Sequence, residues 1–229
     1  MMLKLVIVEP RYQINIGYIA RVAKNFGIKK LYFVNPRAKL DGIQSVKFSK
    51  HASELLKGAK VYGSFEEAIS DCDIVVGTTG IWQKAKANFK NIYLIQDAFD
   101  RIAKVSKERT KVCLLIGRDD TGLTHEELER CDMIAYIGAN PEYPVLNISH
   151  ALAVLLFVFT MHANAAIYKD LAPLPASSSE IEALLRAFDK TIEKKRIRDK
   201  GAVKRVFRKI ISTAQPTGVE VRALITALK

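Results

Sequence analysis

Hydrophobic and polar positions come in blocks along the first three quarters of the chain. Apolar runs at Leu3–Val8, Lys30–Val34, Ala59–Tyr62, Asp73–Gly77, Val112–Ile116 and Met133–Ile137 predict six strands. Several are unbroken Val/Ile/Leu stretches, as expected of strands buried on both faces of a parallel sheet. Helical stretches with start signals lie between them. Ser64-Phe-Glu-Glu67 and Thr124-His-Glu-Glu127 each place a hydroxyl at an N-cap and a carboxylate three residues on. This alternation, from residue 3 to about residue 167, predicts an α/β domain without internal repeats.

The pattern breaks at Leu171-Ala-Pro-Leu-Pro-Ala-Ser-Ser-Ser179, which reads as a linker. Beyond it, Leu185, Phe188 and Ile192 share one face of a helix starting near Ser179, with Ser179 and Glu182 as its capping box. Val203, Val206, Phe207 and Ile210 form a second apolar stripe. Pro216-Thr-Gly218 interrupts it, and Val219–Leu228 predicts a third, short helix. The expected organisation is an α/β domain over 1–168, a linker over 169–179 and a small basic all-α domain over 180–229.

Charge adds a partner class. The chain has 229 residues, 36 Lys and Arg against 24 Asp and Glu, and a formal net charge of +12. Such an excess points to a polyanion such as nucleic acid. Cys72, Cys113 and Cys131 show no paired spacing, so reduced thiols in a cytoplasmic protein are expected. The histidines have no zinc-ligand spacing, and no metal is expected. Ala151–Phe159 is too short to span a membrane and His150 and His162 flank it. A buried helix over Ile148–Ile167 is expected there, with no membrane partner.

Four segments carry candidate chemistry. Asn15-Ile-Gly-Tyr-Ile-Ala-Arg21 follows the first strand; Asn15 can cap the helix, Gly17 allows close backbone approach, and Arg21 offers a forked donor to a phosphate or ribose. Val75-Val-Gly-Thr-Thr-Gly80 ends a strand, where ligands of α/β sheets tend to bind. In Ile116-Gly-Arg-Asp-Asp-Thr-Gly-Leu123, two glycines permit a tight loop. Asp119 and Asp120 can accept from a ligand, cap the next helix or pair with Arg118. Ile137-Gly-Ala-Asn-Pro-Glu-Tyr-Pro-Val-Leu-Asn147 is a proline-stiffened loop with Asn147 at a helix start, and its apolar residues can wall an adenine.

In this order and spacing, these motifs resemble the SPOUT RNA methyltransferases, specifically the TrmJ-like branch of the TrmH-like ribose 2'-O-methyltransferases. The resemblance covers roughly the whole chain. It implies a parallel-sheet domain with a trefoil knot, S-adenosyl-L-methionine as cofactor, a homodimer, and 2'-O-methylation of a tRNA anticodon-loop ribose, typically at position 32. Matching positions imply cofactor contacts from Thr78, Thr79, Gly80, Gly117, Ile137, Pro144, Val145 and Leu146. They place Asn15, Arg21 and Asn147 at the reacting ribose, and assign dimer contact to the long apolar helix.

Three positions depart from the family pattern. Asp119 stands where Glu is usual, and Val145 where Ser is common. Gly80-Ile-Trp-Gln-Lys-Ala-Lys86 replaces an Ala followed by arginines, leaving Lys84 and Lys86 as weaker phosphate contacts. In the basic tail, Lys204, Arg205, Arg208 and Lys209 lie off the apolar stripe, and an absence of compensating acids is expected there. They are expected to hold RNA phosphates without reading bases. The rival readings are a DNA-binding regulator with a ligand-sensing α/β domain, a nicotinamide-dependent enzyme, and an inactive RNA-binding relative. The first would need base-reading side chains on the last helix, where Arg222 and Thr226 are the main candidates. The second lacks its glycine fingerprint.

Overall fold

The structure is a computed structural model that describes residues 1–163 and 175–228. The chain divides into two compact units, Met1–Ala165 and Ala166–Lys229.

The first unit is built on a seven-stranded sheet in which every pairing is parallel. Its strands are β1 (Met2–Val8), β2 (Leu31–Val34), β3 (Lys60–Tyr62), β4 (Ile74–Thr79), β5 (Ile92–Leu94), β6 (Lys111–Ile116) and β7 (Met133–Tyr136). They lie in the order β3-β2-β1-β6-β4-β7-β5. Six match expected runs to within a few residues. β5 has no counterpart among them, because three residues running directly into a helix carry neither a period nor turn punctuation. It exists through its pairing with β7, Ile92 to Ile134 through Leu94 to Tyr136.

Both faces of the sheet are buried, which is why its strands are continuously apolar. Leu5 and Ile7 of β1 enter one core with Ile16 and Ile19 of α1 (Gln13–Asn25), Phe99 of α6 (Ile95–Val105) and Leu152 of α8 (Ile148–Ala163). Val6 and Val8 enter the other, with Phe65 of α4 (Phe65–Ile69) and Leu128 of α7 (His125–Glu129). The remaining helices of this unit are α2 (Ile43–Ser49), α3 (Ser53–Lys57) and α5 (Trp82–Asn88). Gly17 is an obligate small residue, since a Cβ there would sit 2.7 Å from Phe48 Cβ and from the Ser45 carbonyl. It permits close packing of α1 on α2, not approach to a ligand.

One cation is buried in this framework. Lys4 Nζ donates to the Ala68 carbonyl (2.7 Å), Tyr62 Oη (3.0 Å) and Asp71 Oδ1 (2.6 Å). Burial works against its charge, but the bonds to Asp71 and Tyr62 prevail and hold its pKa above the ordinary lysine value.

The expected capping boxes are only partly as read. Thr124 and Glu127 satisfy each other's backbone N–H. Ser64 accepts from Glu67 N, but the Glu67 carboxylate reaches Gly63 N instead of Ser64 N. α1 begins at Gln13 after Tyr12, so Asn15 lies inside the helix and caps nothing. Asn147 does stand before α8, and its Oδ1 accepts from Ser149 N at 2.9 Å.

The second unit contains α9 (Ser178–Glu193), α10 (Lys200–Ala214) and α11 (Gly218–Ala227). The capping box of α9 is Ser177 with Glu180, two residues earlier than the Ser179/Glu182 reading. Thr217 and Glu220 form a further box at α11. Pro175, within the expected linker, pairs with Thr217; residues 169–174 and 164–167 fall outside the described residues. Leu184, not Leu185, enters the core, with Ile211 and Val221. Phe188 stacks on Phe207 with ring centroids 3.7 Å apart.

Candidate functional site

A cavity of about 350 Å³ opens at the carboxyl ends of β4, β6 and β7, the position from which parallel α/β sheets present ligands. Thr78, Thr79, Gly80, Gly117, Ile137, Pro144, Val145 and Leu146 all line it. Three loops far apart in sequence meet there because their strands are neighbours in the sheet.

Each loop has a local reason for its shape. Thr78 Oγ1 donates to the Leu115 carbonyl at 2.8 Å and ties the end of β4 to β6. Gly117 and Gly122 allow residues 117–122 to fold back, with Arg118 and Gly122 exchanging backbone hydrogen bonds of 3.1 Å. A Cβ on Gly117 would fall 2.2 Å from the Gly122 carbonyl carbon, and Gly122 has a φ of +69°. Neither position tolerates a side chain without moving the loop. Gly80 is less constrained, since a Cβ there would meet Val145 Cγ2 at 3.3 Å. These glycines leave a backbone-lined cradle between apolar Ile137, Val145 and Leu146. Its size and lining suit a nucleoside-like ligand with a small polar tail.

The loop is bolted by Arg118, a residue whose partners the sequence did not reveal. Its Nη1 and Nη2 meet Glu127 at 2.9 and 3.0 Å, and Nη2 also meets Glu9 Oε1 at 3.1 Å. Arg37 holds the other Glu9 oxygen at 2.9 Å. Burial would raise the pKa of Glu9, yet the bonds from Arg118 and Arg37 outweigh it and hold that carboxyl below its ordinary value.

The acids beside Arg118 do not pair with it. Asp119 Oδ2 accepts from Arg11 N at 2.7 Å and its Oδ1 from Asn15 Nδ2 at 2.5 Å, while Asp120 meets Arg11 Nη1 at 3.3 Å. Asn15 Oδ1 accepts from Asn147 Nδ2 at 3.2 Å, and Asn147 Oδ1 accepts from the Ser149 hydroxyl at 2.8 Å. The carboxylate can only accept, so it sets the orientation of each amide along the chain Ser149–Asn147–Asn15–Asp119. Asn15 and Asn147 are thus brought together beside Asp119, which lines the cavity, although neither amide lines it.

Arg21 is not brought to the same place. It lies six residues beyond Asn15 on α1, is exposed, and has no ion-pair partner among the described residues. It does not line the cavity, and neither does Lys86, whereas Lys84 does. Among the described residues no cluster of side chains suited to a metal ion is found.

In the second unit the basic face divides. Lys204 Nζ meets Glu193 at 2.6 Å and Arg208 meets Asp189 at 2.7 Å. The expected shortage of compensating acids is therefore corrected for these two: α9 supplies the acids. Arg205 and Lys209 are exposed and have no ion pair among the described residues. The expected apolar stripe is also rotated. Phe207 and Ile211 pack inward, leaving Val206 and Ile210 more than half exposed beside Arg205 and Lys209. On α11, Arg222 is held by Glu180 at 2.9 Å and Thr226 Oγ1 bonds its own helix, which leaves the DNA-regulator reading without free base-reading groups there.

Comparison with known proteins places these features. Residues 2–157 match the SpoU rRNA Methylase family. The tRNA (cytidine-2'-O-)-methyltransferase TrmJ of Methanocaldococcus jannaschii is 32% identical over 100% of this chain and 99% of its own length. The protein of the same description from Sulfolobus acidocaldarius is 36% identical over 84% of this chain and 76% of its own. Among solved structures, a probable methylase family protein from Haemophilus influenzae Rd KW20 superposes with a TM-score of 0.65 at 23% identity, covering 99% of this chain and 95% of that one.

Proposed function

The chain belongs to the SpoU methylase family, and on that premise we propose that it is a tRNA ribose 2'-O-methyltransferase using S-adenosylmethionine. One observation carries the reading. Three loops distant in sequence meet at a single cavity, and Asp119, which lines it, accepts from Asn15 of α1, which in turn accepts from Asn147.

S-adenosylmethionine in this cavity would supply a sulfonium methyl open to in-line displacement by a ribose 2'-oxygen, with the neutral thioether leaving and the hydroxyl proton passing to solvent. The loops at 78–80, 117–122 and 144–146 would hold the cofactor, and Ile137, Val145 and Leu146 would offer apolar surface to its adenine. Asn15 and Asn147, their amides oriented by Asp119, position the ribose; holding reactants in attack geometry is the main source of rate for an already activated methyl. Arg21 offers a forked donor, and its role is to clamp the adjacent phosphate and stabilise charge growing on the 2'-oxygen.

The same reading includes a homodimer. Val154, Phe157 and Met161 form an exposed apolar stripe on α8, whose opposite face is core. Because Arg21 does not line its own cavity, we assign it to the partner's cavity in such a dimer. Further parts of the proposal are a cytoplasmic location, a division into domains over 1–168 and 180–229 with a linker over 169–179, RNA contact from Lys84, Lys86, Arg205 and Lys209, and a trefoil knot. The knot draws support from β7, which enters the sheet between β4 and β5 although β6 precedes it. The target we assign is cytidine at position 32, the base following the two relatives' descriptions and the position following the motif resemblance.

The test is transfer of labelled methyl from S-adenosylmethionine to unmodified tRNA, with a 2'-deoxy substitution at position 32 and, separately, at each other ribose of the anticodon loop. Loss of transfer only with the position 32 substitution is expected. Transfer surviving every substitution would overturn methylation of an anticodon-loop ribose, and loss at another ribose would reassign the position.

A further inference from the structure

The first unit has a second groove, of about 610 Å³, which the candidate methyltransfer site does not use. Arg37, Lys39 and Lys57 line it against a single carboxylate, Asp41, and Val46 and Val61 contribute aliphatic surface. Val46 and Val61 are 41% and 51% exposed, and Lys39 and Lys57 have no acid partner among the described residues. An aliphatic floor with unneutralised cations at its edge is complementary to a nucleotide, with its flat apolar ring face and its phosphate.

The rim of this groove is fastened to the segment that carries the candidate ribose site. Arg37 N and Ala38 N both donate to the Pro10 carbonyl, and Gln44 N donates to Gln13 Oε1 at 3.2 Å. Arg37 binds Glu9, which also holds Arg118 of the cofactor loop. Residues 9–13 therefore hold the groove rim on one side and, through Arg11 N, Asp119 on the other. A strand of RNA placed at Asn15 has a charged, partly apolar continuation built on the same backbone.

We propose that this groove holds a nucleotide of the RNA substrate that flanks the methylated one, its phosphate on Lys39 and Lys57 and its base or ribose against Val46 and Val61. This rests on the methyltransferase reading above. The test uses the full chain and unmodified tRNA. It compares Lys39→Glu/Lys57→Glu with a charge-matched control, Lys107→Glu/Arg109→Glu, in the loop before β6 at the amino ends of the strands, opposite the end where the cavity opens. All four positions are exposed, so both variants are expected to fold.

The groove variant is expected to raise KM for tRNA about tenfold with KM for S-adenosylmethionine unchanged. Its plot of log affinity against log salt should be shallower by about 0.7 units, the amount for one lost single-strand phosphate contact. The control should move neither. Equal losses in both variants would reduce the effect to net charge and overturn the proposal. So would unchanged RNA binding in the groove variant, which would leave the groove to a protein partner or to none. If the wild type binds tRNA but transfers no methyl, the methyltransferase reading fails, and the salt slope alone still decides the groove. If the wild type does not bind tRNA at all, both fail.

Discussion

Asp119 accepts a hydrogen bond from the side-chain amide of Asn15 at 2.5 Å, across 104 residues of sequence. Its second oxygen takes Arg11 N, so both oxygens have a donor. Asp119→Asn keeps one acceptor and must abandon one of these donors. We expect kcat/KM for tRNA to fall about 10- to 100-fold, the size of one lost charge-assisted bond in the transition state. Asp119→Glu restores the acceptor pair at greater length and should lose less. Steady-state kinetics with S-adenosylmethionine binding measured separately checks this: a loss confined to cofactor affinity would exclude the positioning role.

Gly117 and Gly80 line the same cavity but differ in what surrounds them. Gly117→Ala drives a Cβ into backbone at 2.2 Å and should abolish measurable cofactor binding while lowering the melting temperature. Gly80→Ala meets only the end of Val145 at 3.3 Å and should change cofactor affinity less than about threefold, under 1 kcal/mol. Calorimetric titration of the two variants with S-adenosylmethionine separates them.

Glu9 gives the first unit a pH dependence of definite sign. Its folded pKa lies below the ordinary 4.5, so its stabilising contribution is complete above that value. The contribution disappears as pH falls through the lower folded value, because the unfolded chain binds the proton more readily. Denaturant melts of wild type should therefore lose stability as pH drops below about 4.5, and Glu9→Gln should show a flatter profile there. Parallel profiles would show that the Arg37–Glu9–Arg118 contacts carry no proton linkage.

On α10, adjacent cations are expected to behave differently. Arg205→Ala/Lys209→Ala should weaken tRNA binding and flatten its salt dependence by about 1.4 to 1.8 units, with little change in melting temperature. Lys204→Ala/Arg208→Ala removes ion pairs to Glu193 and Asp189 and should destabilise the helices by no more than about 1 kcal/mol per pair, with a smaller effect on the salt slope. Filter binding at several salt concentrations, beside thermal melts, distinguishes the pairs.

If Arg21 serves the partner's cavity, mixing two inactive variants should recover activity. Arg21→Ala and Gly117→Ala, refolded together, would form hybrid dimers with one intact site and one doubly defective site. About a quarter of wild-type activity is expected, from one working site in the half of the dimers that are hybrid. Activity no greater than that of the separate variants would place Arg21 at its own protomer's site.

The two-sided core, six of the strands and the order of the motif loops were legible in the chain itself. Leu5 and Ile7 against Val6 and Val8 show why: a strand buried on both faces must be apolar at every position, whatever its neighbours. Eight of the residues that line the cavity were named through the motif resemblance, which the chain's own periodicity could not have supplied. Tertiary structure alone decided the rest. β5 needed β7 beside it, and Arg118 needed Glu9 from the other end of the unit. Along α10, the rows Val206/Ile210 and Phe207/Ile211 are adjacent and similarly apolar, so periodicity does not choose between them. Packing on Leu184, Phe188 and Val221 chose the second row, and that choice separated Arg205 and Lys209, left free, from Lys204 and Arg208, drawn into ion pairs with α9. A local pattern records which residues prefer burial; which of two equal faces is buried depends on the partner that arrives.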